Sequence, residues 1–135
     1  MAFRYLEHTA DIGIAAWGES KEQVIEEICL AFTNLIYDTD KVKSQEFRRI
    51  MVDSRTNAGK IVDLLSRILY LIDGEDFLIR EVKVDNFKPL VVIVGGEPMN
   101  PLQHKMKSVV KAVTHYKAYF RKKGNTYLAR VYLDI

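Results

Sequence analysis

Cysteine is nearly missing from this 135-residue chain: Cys29 is the only one. A lone thiol excludes an internal disulfide framework and fits a reducing compartment. No His and no CxxC partner lies near Cys29 in sequence, so it reads as a core thiol. Long apolar runs are also lacking. The stretch 90–94 is continuously apolar but far too short to span a bilayer. No basic and apolar leader opens the chain, whose first residues read as the start of a strand. These absences point to a soluble, cytoplasmic protein without membrane association. Catalytic signatures are lacking too. Gly95-Gly96 is not followed by the Lys-Ser/Thr of a phosphate-cradling loop. No nucleophile–base pair and no glycosidase-like carboxylate pair is visible, so an independent active site is not expected.

Acidic residues are absent from one long segment. Residues 98–133 hold no Asp or Glu but eight Lys or Arg: Lys105, Lys107, Lys111, Lys117, Arg121, Lys122, Lys123 and Arg130. Residues 1–97 hold 12 basic and 17 acidic side chains, so a net charge of +2 conceals two halves of opposite sign. The basic half, 105–123 above all, reads either as a surface that steers toward RNA, nucleotide or an acidic protein, or as a solvated sheet face pairing with acids of the first half. No RNA-binding motif decides between them.

What is present is globular: 48% apolar and 28% charged residues, enough for one domain over 1–135. Strands are expected over 3–7 and 12–19. Ser20 and Gln23 have capping-box spacing ahead of a helix reaching about Tyr37, with an apolar stripe through Val24, Ile28, Phe32 and Leu35. A strand over 46–53 and a second helix over 57–72 follow, the latter stopped at Gly74 in a left-handed position. The remainder reads as strands at 77–85, 90–94, 108–121 and from about 126 to the end, with Gly95-Gly96 closing the second of these. The last alternates cleanly, Val131, Leu133 and Ile135 on one face and Arg130, Tyr132 and Asp134 on the other. Without β-α-β alternation the expected class is α+β: a mostly antiparallel sheet of about six or seven strands with two main helices packed on it.

Two short stretches carry candidate chemistry. His8-Thr9-Ala10-Asp11-Ile12-Gly13 is a polar cluster between apolar runs, and the chain ends Asp134-Ile135. An Asp near a Gly is commonly a turn former, with the glycine allowing a sharp turn or a close approach. If the fold joins the ends, Asp11, Asp134 and the α-carboxylate of Ile135 gather hard anionic oxygens suited to Ca²⁺ or Mg²⁺. His8 suits zinc better than calcium, and nothing completes a zinc set around it; packing under the loop or bonding to backbone is its simpler role. Thr9 is placed to shape the turn. Nothing in the spacing gathers His8, His104 and His115. Asp38-Thr39-Asp40 lacks the Gly and Glu of a calcium loop.

HTADIG near the start, VVKAVTHYKAYF over 109–120 and YLDI at the end, in this order and spacing, resemble the archease family across essentially the whole chain. The middle block departs from the family's usual Val-Thr-Tyr-His, reading Val113-Thr114-His115-Tyr116, so no role carries over to His115. The resemblance implies that Asp11, Asp134 and Ile135 bind a divalent metal ion, Ca²⁺ by preference, with Ile135 using main-chain or terminal oxygen. It implies a functional surface position for Lys111, in contact with a partner or phosphate. It also implies a protein cofactor rather than an enzyme: an activator of the RtcB-type tRNA-splicing ligase that promotes its guanylylation and multiple turnover with GTP. The alternative is an RNA-binding or chaperone-like modulator of RNA-processing enzymes; a small metal-dependent hydrolase is a further rival.

Overall fold

The computed structural model describes residues 2–8 and 11–135, the side chains of Glu7 and His8 excepted. Seven strands form two antiparallel sheets. Strands β1 (Ala2–His8), β2 (Asp11–Gly18), β6 (Ala112–Lys123) and β7 (Thr126–Asp134) make a four-stranded sheet in the order β1-β2-β7-β6. Strands β3 (Glu46–Val52), β4 (Phe77–Asn86) and β5 (Leu90–Pro98) make a three-stranded sheet in the order β3-β5-β4. The helices α1 (Lys21–Ile36) and α2 (Asn57–Glu75) each touch strands of both sheets. The α+β class, the helix pair and the antiparallel strands are as expected; the strands are divided between two sheets. The reason is that each helix is apolar on more than one side, and one sheet face cannot cover it. Ile28, Cys29, Phe32, Leu64, Leu65 and Ile68 join residues of both sheets in one buried cluster.

Local chemistry accounts for the element ends. Ser20 Oγ accepts the Gln23 N–H at 3.1 Å, while the Gln23 side chain reaches one residue further back and accepts the Glu19 N–H at 2.9 Å. Thr56 Oγ1 caps α2 by accepting the Gly59 N–H at 3.0 Å. Gly74 is not the stop: α2 continues to Glu75, and Asp76 takes the left-handed conformation at φ 51°. There its carbonyl accepts the Met99 N–H at 2.7 Å, a tertiary bond outside the reach of any local rule.

Gly95 and Gly96 do not end their strand either. Both lie inside β5, which is the central strand of its sheet. A side chain at Gly96 would collide with the Leu78 carbonyl oxygen, because an irregularity between Ile79 and Glu81 carries the β4 main chain close by. The strand expected from 108 begins at Ala112 instead. The Lys107 and Ser108 N–H groups are taken by the Ile36 carbonyl at 2.7 and 3.3 Å, which ties this segment to the end of α1 rather than to β7.

Candidate metal centre

The register of the four-stranded sheet places the ends of the chain side by side. In β2–β7, Asp11 is directly opposite Asp134; in β1–β2, His8 is opposite Asp11; in β6–β7, Ala112 is opposite Asp134. One row, His8, Asp11, Asp134 and Ala112, thus crosses all four strands at one end. Directly opposed residues of an antiparallel pair project to the same face, with Cβ atoms about 4.5–5.5 Å apart. Alternation decides which face. Leu133 is fully buried on the helix side. Asp134 therefore projects away from the helices, where it is exposed, and Asp11 is half-buried beside it.

Neighbouring residues define this end further. The Lys111 N–H donates to the Asp134 carbonyl at 2.7 Å, which fixes the backbone of Asp134 and leaves the Lys111 side chain exposed. Gly13 sits in a strand, not a turn, and its need for hydrogen is one of close approach. A Cβ there would come 2.8 Å from the Tyr132 ring and 3.0 Å from Leu6 Cβ. Ile135 follows Asp134 and is 46% exposed, so its main-chain oxygens lie at the same tip. Thr9 and the side chain of His8 lie outside the described residues.

The donor set fits a hard cation in kind, being carboxylate and main-chain oxygen. It is small in number. Among the described residues, no group of three or more His, Cys, Asp or Glu side chains is placed to hold a metal ion. Two side-chain carboxylates and the oxygens of Ile135 are what the described chain brings together here. Ca²⁺ takes six to eight oxygens, so water or a partner would supply the remainder.

The other two histidines are apart from this row. His115 is exposed on β6. His104 is buried in the loop after β5, where its Nδ1 accepts the Asn100 N–H at 2.9 Å and its Nε2 donates to Glu97 at 3.0 Å. The same Glu97 oxygen accepts the Lys43 N–H at 2.7 Å. That amide, together with His104, holds the Glu97 carboxyl below its ordinary range against the opposing effect of burial. Cys29 is wholly buried, and burial pushes its thiol strongly up, as suits a core residue. Asp38 caps a short 3-10 turn at Thr39–Lys41 by accepting the Asp40 N–H at 3.1 Å.

Among the described residues, the Lys and Arg side chains of the basic segment do not pair with acids. Ion pairs among the described residues are Arg48–Glu46, Arg80–Asp40 and His104–Glu97, and none uses a Lys or Arg of the acid-free stretch. Four of its eight cations, Lys117, Arg121, Lys122 and Arg130, lie over tyrosine rings instead. Arg121 and Arg130 stand 4.4 and 4.6 Å from the Tyr119 centroid, and Lys117 stands 5.2 Å from Tyr116. Arg130 also donates through Nε and a terminal nitrogen to the Lys117 carbonyl at 3.1 and 3.0 Å, across a register irregularity where Lys117 has φ 51°. Sequence reasoning missed this clamp. The alternation that sets Arg130 beside Tyr132 was legible, but the irregularity that brings Lys117 under it was not.

Residues 3–135 match the archease protein family (MTH1598/TM1083). The chain belongs to the archease family. The archease of Methanosarcina mazei is 32% identical over 98% of this chain and 95% of its own length; that of Sulfurisphaera tokodaii is 30% identical over 98% of both. The solution structure of Methanobacterium thermoautotrophicum protein 1598 superposes with a TM-score of 0.81 at 29% identity, covering 98% of each chain. The crystal structure of a Thermotoga maritima archease, called there a possible chaperone, gives a TM-score of 0.64 at 20% identity over 96% of this chain and 94% of that one, a likeness of fold. No helix among the described residues is long and apolar enough to cross a membrane.

Proposed function

We propose that this archease is a protein activator of an RtcB-type tRNA-splicing RNA ligase, promoting its guanylylation and repeated turnover, and that a divalent cation, Ca²⁺ in the first instance, binds at Asp11, Asp134 and Ile135. The observation that carries this reading is the register pair Asp11–Asp134 at the open end of a sheet. Like charges directly opposite one another destabilise a strand pair, and a cation between them removes that cost. When bound, the ion would neutralise the acidic tip, so that the tip can approach the phosphates and metal of a nucleotide pocket. The chain's own residues position that tip: the Lys111 amide holds the Asp134 main chain, and the exposed Lys111 side chain lies alongside as a contact for the partner or for phosphate. An incomplete donor set supports docking, since a partner can supply the missing ligands.

Purified ligase, GTP and a broken RNA, mixed with wild type or with Asp11→Ala, test the reading. The expected result is multiple turnover with wild type and near-single turnover with the variant. Equal rates for both would remove the ion from the mechanism.

A second reading is favoured by the tyrosine–cation face of β6 and β7: an RNA-binding or chaperone-like modulator of RNA-processing enzymes. Aromatic rings interleaved with Arg and Lys suit stacking of unpaired bases. Its mark would be RNA retention that falls steeply with salt and is lost in Lys122→Glu/Lys123→Glu.

A further inference from the structure

Away from the acidic row, the start of α2 opens on a cavity of about 490 Å³ lined by Val52, Ser54, Arg55, Lys60, Lys88 and Pro89, with Asp53 as its one acid. Three cations face one carboxylate. Lys60 is the unusual member, since it is 5% exposed and no carboxylate or other oxygen lies within bonding reach of its ammonium among the described residues. What it has is the ring of Phe87 at 5.3 Å, and it shares that ring with the Lys21 ammonium at 4.3 Å. The stem of Lys60 is buried while its ammonium stays open to the cavity, since no buried side-chain nitrogen among the described residues lacks a hydrogen-bond partner, and a ring face shared by two cations leaves that ammonium free to take an anion.

The backbone adds to the same field. α2 runs for 19 residues, so its first turn carries the positive end of a full helix dipole. The Gly59 N–H is taken by Thr56 Oγ1 and the Lys60 N–H by the Thr56 carbonyl, both at 3.0 Å. The amides of Asn57 and Ala58 stand ahead of these and have no partner within the helix itself. Gly59 is buried, and a side chain there would collide with the Ser54 and Thr56 hydroxyls, so the glycine keeps the turn tight and Ser54 in the cavity lining.

We propose that this cavity is a binding site for a phosphate group, held by the buried Lys60, by Arg55 and Lys88 at the rim and by the first-turn amides of α2. A helix N-terminus suits a compact anion, and a lining of three cations against one carboxylate is balanced by a dianion such as phosphate. The volume exceeds that of a bare phosphate and falls within the range of small-ligand sites, and Val52 and Pro89 give it an apolar wall. The phosphate is therefore either the free ion or the terminal group of a nucleotide. This site is independent of the ion at Asp11 and Asp134.

Amide NMR on the full-length protein at constant ionic strength tests it, with inorganic phosphate, ATP and, as control, chloride as probes. Saturable shifts at Asn57, Ala58, Gly59 and Lys60 with phosphate or ATP are expected, with none from chloride. Tighter binding of ATP than of phosphate identifies a nucleotide site, and equal binding identifies a phosphate site; either supports the proposal. Lys60→Met is expected to weaken binding about tenfold to a hundredfold, and Lys60→Arg to retain most of it. Should Lys60→Met not fold, Arg55→Gln/Lys88→Gln at the exposed rim is the second variant, with about tenfold weakening expected. No saturable shift in millimolar phosphate or ATP overturns the proposal, and so does wild-type binding by the folded variants.

Discussion

Replacing Asp134 by Asn should change the stability of this protein in opposite directions depending on calcium. The amide keeps the shape of the side chain and the β2–β7 register, but removes one of two charges placed directly opposite each other. In chelator the wild type bears that repulsion unrelieved. Its removal should stabilise by about 0.2–1 kcal/mol, toward the low end because Asp134 is exposed. For 135 residues 1 kcal/mol corresponds to about 3–4 °C in Tm, so Asp134→Asn should melt about 1–2 °C above wild type. In calcium the order should reverse. At a free concentration of 100 times Kd the wild type gains about 2.7 kcal/mol, or about 9 °C, and the variant gains little of it. Paired scanning calorimetry in chelator and in excess calcium, repeated with magnesium, measures both limbs. The diagnostic is the crossing of the two melting orders, not either shift alone. If the variant and wild type keep the same order in both buffers, the opposed carboxylates are not a cation site.

Further expectations concern the buried polar contacts. Glu97→Gln should cost about 1–3 kcal/mol at neutral pH, because a carboxylate held by the Lys43 amide and His104 is replaced by a neutral acceptor. The Glu97 carboxyl titrates below its ordinary value of 4.5 in the folded state, so its contribution is present above that pH and is lost as pH falls through the lower folded value. The gap between wild type and variant in urea midpoints should therefore close on acidification; a gap that widens there would refute the assignment. Tyr37→Phe should cost about 1–3 kcal/mol, since the buried phenol both donates to the Ile79 carbonyl at 2.9 Å and accepts the Ile79 N–H at 2.6 Å, and the variant orphans both groups. Urea denaturation of that variant measures the loss, and an unchanged midpoint would show that water replaces the hydroxyl.

Much of the fold was legible where a local rule coincides with a tertiary need. Ser20 and Gln23 marked the start of α1 because capping is decided within one turn. The alternation of Val131 and Leu133 with Tyr132 and Asp134 marked β7 and told which residues face the helices. The continuous apolar run at 90–94 is a strand as expected, and being covered on both faces it is the central one of its sheet. Glycine was where local rules failed. Gly74, Gly95 and Gly96 look like punctuation, yet the latter two are inside a strand, where the Leu78 main chain leaves no room for a side chain at Gly96 and the Ser44, Phe47 and Glu81 side chains crowd Gly95. The division of the strands between two sheets also escaped, since alternation reports which face of a strand is buried but not what buries it. At the candidate site, the residue types at 11, 134 and 135 suggested an ion, whereas their adjacency depended on pairing β2 with β7, which no spacing rule supplies.

That pairing has a consequence for biosynthesis. β2 finds its second neighbour only in β7, more than a hundred residues later, so a chain still emerging from the ribosome displays Asp11–Gly18 as an unpaired edge for most of its translation. The acidic row then appears only with the last strand, and any chain stopped short of β7 carries half of it. Premature termination would yield a sticky edge and only half of the acidic row together, so that, if the proposed ion binds there, its retention would mark finished molecules.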